Sequence, residues 1–410
     1  MKVTELVLRN FRNITECRFT PDPKLNFLVG ENGQGKTSFL EALGYLATLR
    51  SFRGSKSHEV MKWGEQGSEV TCKLTPENDE AWQTDLKLVF NAEDSSRQKV
   101  SKIAFINGKP YKSSTGYLSQ RFGSFELGFH AVIFNPSDHD LVRGEPAIRR
   151  GYLDRVIAAE NVDYLKLTAK YQRVVSQRNR ILKSEQSPSR EILAGFTEQM
   201  GSLAALITYK RLEWILKLED RLNNTVHQIA PHQPQLRLIY LSKWIPQIDG
   251  LVFNNNDLDP IDFTGHGHLP SLELLERFFW NKHSLLEAAE WRSGHSLVGP
   301  HRDDWAFYLG NQAMRGHGSQ GEVRSALLAL KLCEIDLFRI ETGHRPLFLL
   351  DDFSSELDRE RRTFLLKYLV DSDLQTFVTT TEDSSLYGKK FRVSQGSLIH
   401  VGTESANVSG

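Results

Sequence analysis

The sequence predicts an α/β fold in which a mixed sheet is split by an inserted helical arm domain. Three observations predict it. A compact apolar run, Leu25–Val29, leads through a glycine-rich turn into an amphipathic helix. A second apolar run, Leu347–Leu350, ends in two adjacent carboxylates, Asp351 and Asp352. Far from either, residues 147–184 and 191–229 carry helical periodicity, separated by a Ser/Pro breaker cluster at 184–189.

The remaining elements follow in order. Residues 3–9, 70–74 and 86–90 read as short strands, and Asn107-Gly108 is a strong turn signal. The one helix among them places Phe39, Leu43 and Leu46 on a single face. Residues 231–270, rich in Pro, Asn, Gly and His, read as strand and loop, and 271–291 return to helix. A helix at 322–341 precedes Leu347–Leu350, and Thr376–Thr380 reads as a further strand. The expected segments are therefore 1–146, an inserted helical lobe at 147–295, a returning part at 296–402, and a small polar tail at 403–410 that frays.

Composition narrows the classes. A chain of 410 residues accommodates two or three domains, and 40% hydrophobic with 25% charged residues is ordinary globular composition. Lys+Arg and Asp+Glu balance at 51 each, so any nucleic-acid binding must rest on a local patch. Cys17, Cys72 and Cys333 lie far apart with no CxxC pair, which fits a reducing cytosol. No apolar run is long enough for a membrane helix and no heptad array supports a long coiled coil, so a cytoplasmic protein with no membrane partner is expected.

The pattern GxxxxGK[ST] is met at 30–37 by Gly30, Glu31, Asn32, Gly33, Gln34, Gly35, Lys36 and Thr37. Glycines let a backbone wrap phosphates with its N–H groups inward, and the following helix adds its N-terminal dipole. In that role Lys36 reaches the β and γ phosphates of ATP, and the Thr37 hydroxyl ligates Mg²⁺. The bland alternative is a glycine turn before a helix, and the flanking strand and helix weigh against it. Asp351 is then the candidate second Mg²⁺ ligand and Asp352 the candidate for orienting and deprotonating the attacking water. Taken alone, two acids at a strand end are more often a solvated turn. Thr37 and Asp351 stand 314 residues apart, so a large insertion must split the nucleotide-binding fold.

Ser319, Gln320, Gly321 and Glu322 open a strongly apolar helix. These are ordinary capping residues, and also a second set of N–H groups and a hydroxyl suited to a γ-phosphate. The order of phosphate loop, Ser-Gln-Gly-Glu helix, Leu-Leu-Asp-Asp strand and Ser355-Glu356-Leu357-Asp358 resembles that of the ABC-type SMC-like ATPases. Further stretches narrow the resemblance to the RecF family of bacterial DNA replication and repair proteins: Leu8-Arg9-Asn10-Phe11-Arg12-Asn13, Arg50-Ser51-Phe52-Arg53, Ile106-Asn107-Gly108-Lys109, Tyr171-Gln172-Arg173, Gln177-Arg178-Asn179, Gly299-Pro300-His301-Arg302-Asp303-Asp304 and Thr379-Thr380-Thr381. These run from residue 6 to about 381.

The resemblance implies an ABC-type ATPase head with an inserted arm, weakly DNA-stimulated ATP hydrolysis, and an ATP-dependent homodimer. In that dimer Ser319 of one copy meets the nucleotide held by Lys36 of the other. It also implies binding to gapped or double-stranded DNA and action with RecO and RecR in loading RecA. Two stretches depart from the pattern. Residues 134–138 carry no glutamine where such ATPases often have a metal-sensing one, and 230–295 match the family poorly. A non-hydrolytic nucleotide-dependent scaffold and the ATPase subunit of a transporter stay open as alternatives.

For DNA, Arg143, Arg149, Arg150 and Arg155 cluster, and Lys166, Lys170, Arg173, Arg178, Arg180 and Lys183 punctuate the first arm helix. Arg149, Arg150, Lys170 and Arg173 are the candidates for backbone contacts, against the alternative of a solvated helix face. The His301–Asp304 run invites a nuclease reading, yet no second acidic cluster supports a two-metal site, and ion pairing is the expected role.

Overall fold

The computed structural model describes residues 1–76, 82–94, 99–121, 128–184, 190–246, 269–382 and 388–404. The breaker residues 185–189 and the tail beyond 404 lie outside that set. The chain divides into two compact units, Met1–Asp138 with Glu334–Gly410, and His139–Cys333. The boundary at 333/334 falls inside the helix Gln320–Thr342.

In the first unit, two six-stranded sheets enclose one helix. The first sheet is antiparallel, in the order Ile14–Phe19, Lys2–Phe11, Gly67–Thr75, Thr84–Ala92, Val100–Ile106, Lys109–Tyr111. Its strands alternate buried and half-buried residues, as a sheet with one covered face must. Asn107 and Gly108 both take positive φ (49° and 78°) at the tight turn they predicted.

The second sheet runs Ser397–Glu404, Gly388–Ser394, Leu25–Val29, Thr376–Thr380, Leu347–Leu350, Ala131–Phe134, parallel except at the Ser397–Glu404 edge. Its three central strands are buried at every residue, which is why they read as continuous apolar runs. The helix Lys36–Thr48 packs between the sheets and buries Phe39, Leu40, Leu43 and Leu46 in a core shared with Leu28, Val70, Leu88 and Phe377. Phe19 packs edge-on against Phe39, Phe377 and Phe391, with its ring centroid 4.6 Å from that of Phe391.

The second unit is mainly helical, with Pro146–Glu160, Val162–Leu182, Arg190–Ile229 and Leu272–Ser293 beside a three-stranded antiparallel sheet. That sheet pairs Leu236–Leu241 with Asp304–Leu309, which in turn pairs with Gln312–Ala313. The expected single helical stretch at 147–184 is two helices broken at Asn161. Asn161 sits at φ −136°, ψ 107° and its side chain accepts from Tyr164 N–H, so it caps a new helix instead of continuing the old one. Among the described residues no helix is long and apolar enough to cross a membrane.

Candidate nucleotide site

The loop at 30–37 has the positive-φ glycines that phosphate wrapping needs. Gly33 takes φ +79° and Gly35 φ +104°, and a Cβ on Gly35 would stand 2.6 Å from Asn13 Oδ1. Asn13 Nδ2 donates to Gln34 O, and the backbone N–H of Gly396 donates to the same carbonyl. Gln34 Oε1 accepts from Gln395 N–H at 2.7 Å, so that side chain braces the loop from behind. Lys36 Nζ donates to Gly30 O and Glu31 O (2.5 and 2.8 Å), arching over the loop. Burial lowers the Lys36 pKa, and the charges of Asp352 and Asp351 oppose that shift.

The parallel register sets the acidic strand beside the loop. Thr376–Thr380 pairs on one side with Leu25–Val29 and on the other with Leu347–Leu350, so Thr37 and Asp351 meet: Thr37 Oγ1 donates to Asp351 Oδ1 at 2.8 Å. Thr379 Oγ1 donates to the same Asp351 oxygen at 2.7 Å and accepts from Asp352 N–H at 2.8 Å. A single buried hydroxyl thereby fixes both carboxylate residues. Burial raises the Asp351 pKa; the hydroxyls of Thr379 and Thr37 hold it down, and Asp352 adds to the rise. Asp352 lies half-buried at φ 57°, ψ 50°, a left-handed conformation that glycine adopts freely and side-chain-bearing residues seldom do, aspartate and asparagine most readily among them.

These groups line a cleft of about 1470 Å³ that also includes Arg12, Asn13, Arg53, Trp63 and Asn135. The residues fit ATP and Mg²⁺. Glycines with positive φ precede a helix start, a buried ammonium faces the loop, and a hydroxyl–carboxylate pair stands beside it. Among the described residues no cluster of three or more His, Cys, Asp or Glu side chains could hold a metal. The Thr37 hydroxyl and the Asp351 carboxylate offer the one or two protein oxygens that Mg²⁺ takes beside phosphates and water.

Several participants were not marked by the motifs. Glu41 is fully buried on the loop helix and accepts from Arg12 Nε (2.8 Å), Arg12 Nη2 (2.5 Å) and Ser51 Oγ (2.5 Å), with Arg53 Nη1 at 3.8 Å. It ties together two stretches that the sequence flagged only by resemblance. The one signal was a glutamate among Phe39, Leu40 and Ala42. Asn135 follows a strand that pairs directly with Leu347–Leu350, but its Oδ1 accepts from Ser137 N–H and its Nδ2 lies 3.4 Å from Asp138 Oδ2. Its amide is committed to its own turn.

In the second unit, Ser319 and Glu322 form a reciprocal capping box: Ser319 N–H donates to Glu322 Oε2, and Glu322 N–H to Ser319 Oγ. Ser319 and Gln320 are exposed, whereas Gly321 and Glu322 are half-buried.

The basic candidates divide. Arg149 is 2% exposed and donates to both Asp304 oxygens (2.7 and 2.8 Å) and to Gly144 O, so it is withdrawn from the DNA candidates. Arg178, from the same expected stripe, is buried on Glu290 (2.6 Å), Thr197, Ser296 and His283. Arg150 is half-buried and donates to Asp303 O. Lys170 and Arg173 are exposed on Val162–Leu182.

The His301–Asp304 run is structural. Asp304 pairs with Arg149, while Asp303 is buried and accepts from Tyr240 Oη, Ser242 Oγ and Trp244 Nε1. His301 joins Tyr171 Oη through Nδ1 (2.7 Å) and Ser296 O through Nε2 (3.1 Å), a set that suits neutral imidazole donating from Nε2. Burial pushes His301 down to about 4 and Asp303 up to about 6.

Their linkages oppose. As pH falls from 6.5 towards 4, unfolded chains protonate at His301 before folded ones, costing about 3 kcal/mol of stability. Over a similar range the folded Asp303 keeps a proton that the unfolded carboxyl has lost, so acidification returns about 3 kcal/mol. His301→Gln removes only the first effect. In urea unfolding between pH 7 and about pH 4, the variant is expected to gain about 2–3 kcal/mol relative to wild type at the acid end. Parallel stability curves would show that the folded imidazole titrates normally.

The family model described as RecF/RecN/SMC N terminal domain matches residues 2–393. A DNA replication and repair protein RecF from Geotalea uraniireducens is 30% identical over 415 residues, covering 98% of this chain and all of that protein. The RecF of Geobacter sulfurreducens is 33% identical over 408 residues, with 98% and 100% coverage. Among solved structures, the recombination mediator protein RecF with ATP, in the RecFOR pathway, superposes with a TM-score of 0.82 at 27% identity and 98% coverage of both chains. An Smc head domain from Pyrococcus furiosus, at a TM-score of 0.55 and 13% identity, shares the fold alone, over 98% of this chain and 96% of its own.

Proposed function

The chain belongs to the RecF family, with an ABC-type ATPase head of the SMC kind, and from that premise we propose that it is an ATP- and DNA-binding protein of replication and recombinational repair. The observation that carries the reading is the contact of Thr37 with Asp351, which joins the phosphate loop to an acidic strand 314 residues away. Lys36 and the loop N–H groups bind the phosphates, Thr37 and Asp351 hold Mg²⁺, and Asp352 orients and deprotonates the attacking water. Bound ATP·Mg²⁺ supplies the phosphoanhydride whose cleavage ends the state.

The ATP-bound form pairs with a second copy, in which Ser319, Gln320, Gly321 and Glu322 complete the partner's phosphate site. The closed pair acts as a clamp on gapped or double-stranded DNA, hydrolyses ATP slowly, and works with RecO and RecR in loading RecA. Exposed Lys170 and Arg173 contact the DNA backbone. Because each γ-phosphate touches both copies, hydrolysis removes the contacts that hold them together. Sedimentation with and without ATP and gapped DNA tests this, and a mass unaffected by either would sink the clamp.

Ser319→Arg isolates the pairing step. The position is exposed and arginine costs only the cap that Ser319 Oγ gives Glu322 N–H, so the variant is expected to bind ATP normally and stay monomeric. ATP-dependent dimers of this variant in light scattering would refute the trans contact.

A further inference from the structure

We propose that Trp63 is the platform on which the base of the bound nucleoside triphosphate stacks, giving the site a preference for purines. The proposal deepens the nucleotide-binding reading and rests on it. Trp63 is 92% exposed, the most exposed large hydrophobic side chain among the described residues. An exposed surface hydrophobe is ordinary. This one, however, lines the same cleft as Lys36, Thr37 and Asp351.

In the proposed site Asp351, Asp352 and Thr379 mark the place of the terminal phosphate. The loop comes next, where Gly35 abuts Asn13. From there the wall passes along the end of the strand Lys2–Phe11, whose Phe11 bridges to Met61, and reaches Lys62, Trp63 and Gly64. A nucleotide with its terminal phosphate at the carboxylates has its base farther along this wall, and Trp63 is the fully exposed aromatic that the wall offers it. The cleft's 1470 Å³ is also far more than a triphosphate fills.

The segment holds its indole on fixed backbone. Arg12 N–H donates to Val60 O (2.7 Å), Lys62 N–H to Asn10 O (2.8 Å), and Asn10 Nδ2 to Glu65 Oε2 (3.3 Å). Lys62 Nζ bonds Thr15 Oγ1. A large π face presented from a rigid backbone loses little conformational freedom when a base lands on it, and stacking strengthens with ring area, so purines gain over pyrimidines. Arg12, a guanidinium of the same cleft that could stack instead, has its donors on Glu41, Ser55 and Glu59 O.

The test is calorimetric titration of the full chain with Mg·ATP, Mg·CTP and inorganic tripolyphosphate, in wild type, Trp63→Ala and Trp63→Phe. Trp63→Ala is expected to weaken ATP about tenfold or more, to erase the preference for ATP over CTP, and to leave tripolyphosphate unchanged. Trp63→Phe restores most of the loss. Wild-type ATP affinity in Trp63→Ala would overturn the platform while leaving the nucleotide site standing; if ATP-driven pairing were then lost, Trp63 belongs to an interface between copies. An equal loss of tripolyphosphate affinity would also overturn it. A wild-type chain that binds neither ATP nor tripolyphosphate would instead sink the nucleotide reading itself.

Discussion

Lys36→Met is expected to abolish nucleotide-dependent pairing and to lower ATP turnover at least about a hundredfold, the scale for losing a preorganised charge at a reacting phosphate. The ammonium hydrogen-bonds the loop carbonyls and its charge couples to the two aspartates. Without it, a polyanion meets Asp351 and Asp352 with less compensation from the protein. Methionine keeps an unbranched apolar stem one atom shorter than lysine, which suits a position 8% exposed, so the helix start survives. Gly30 O and Glu31 O lose a donor, but Gly30 is half-buried and Glu31 exposed, so water replaces it. Circular dichroism should therefore show a folded chain, and calorimetry a loss of ATP binding. Unchanged affinity and turnover would remove the loop from the phosphate site.

What the sequence made legible was the chemistry confined to short stretches. The loop at 30–37 and the acid pair at 351–352 each carry their own signal, because strand, turn and helix succeed one another within a few residues. Central parallel strands such as Leu347–Leu350 were equally plain, since burial on both faces requires an unbroken apolar run. The residues that unite these pieces were not. Thr379 reads as one β-branched residue in a strand, and only the register shows that its hydroxyl reaches both Asp351 and the Asp352 N–H.

Charges on helices were legible in number but not in direction. Arg178 stands among Lys170, Arg173 and Arg180 in the sequence, yet it points inward to Glu290, 112 residues away, while its neighbours face water. Arg149 turns inward in the same way to Asp304, 155 residues on. A buried ion pair requires a partner brought by tertiary structure, and nothing local announces it. The helix break at Asn161 was hidden for a related reason: an asparagine within a polar stretch is neutral to periodicity, and its cap appears only once its side chain is seen on Tyr164 N–H.

Asp352→Asn is the sharpest test of the catalytic assignment, because the structure separates the carboxylate's charge from its backbone role. The contact with Thr379 runs through the Asp352 N–H, which the substitution keeps, and asparagine accepts the left-handed conformation at φ 57° as readily as aspartate. Asp351, with its hydroxyl partners Thr37 and Thr379, is untouched, so the proposed metal site is preserved. The expected variant binds ATP, pairs with a second copy, and then stays paired, with turnover lowered about a hundredfold to ten-thousandfold, the range for losing a positioned general base. Light scattering after ATP addition would show dimers persisting long past the wild-type lifetime. Wild-type turnover would refute the role of Asp352, and failure to pair would mean that its charge serves the closed state as well as the attacking water. Asp351→Asn supplies the contrast: it removes a proposed metal ligand and so should weaken Mg²⁺-dependent ATP binding itself, which Asp352→Asn leaves intact.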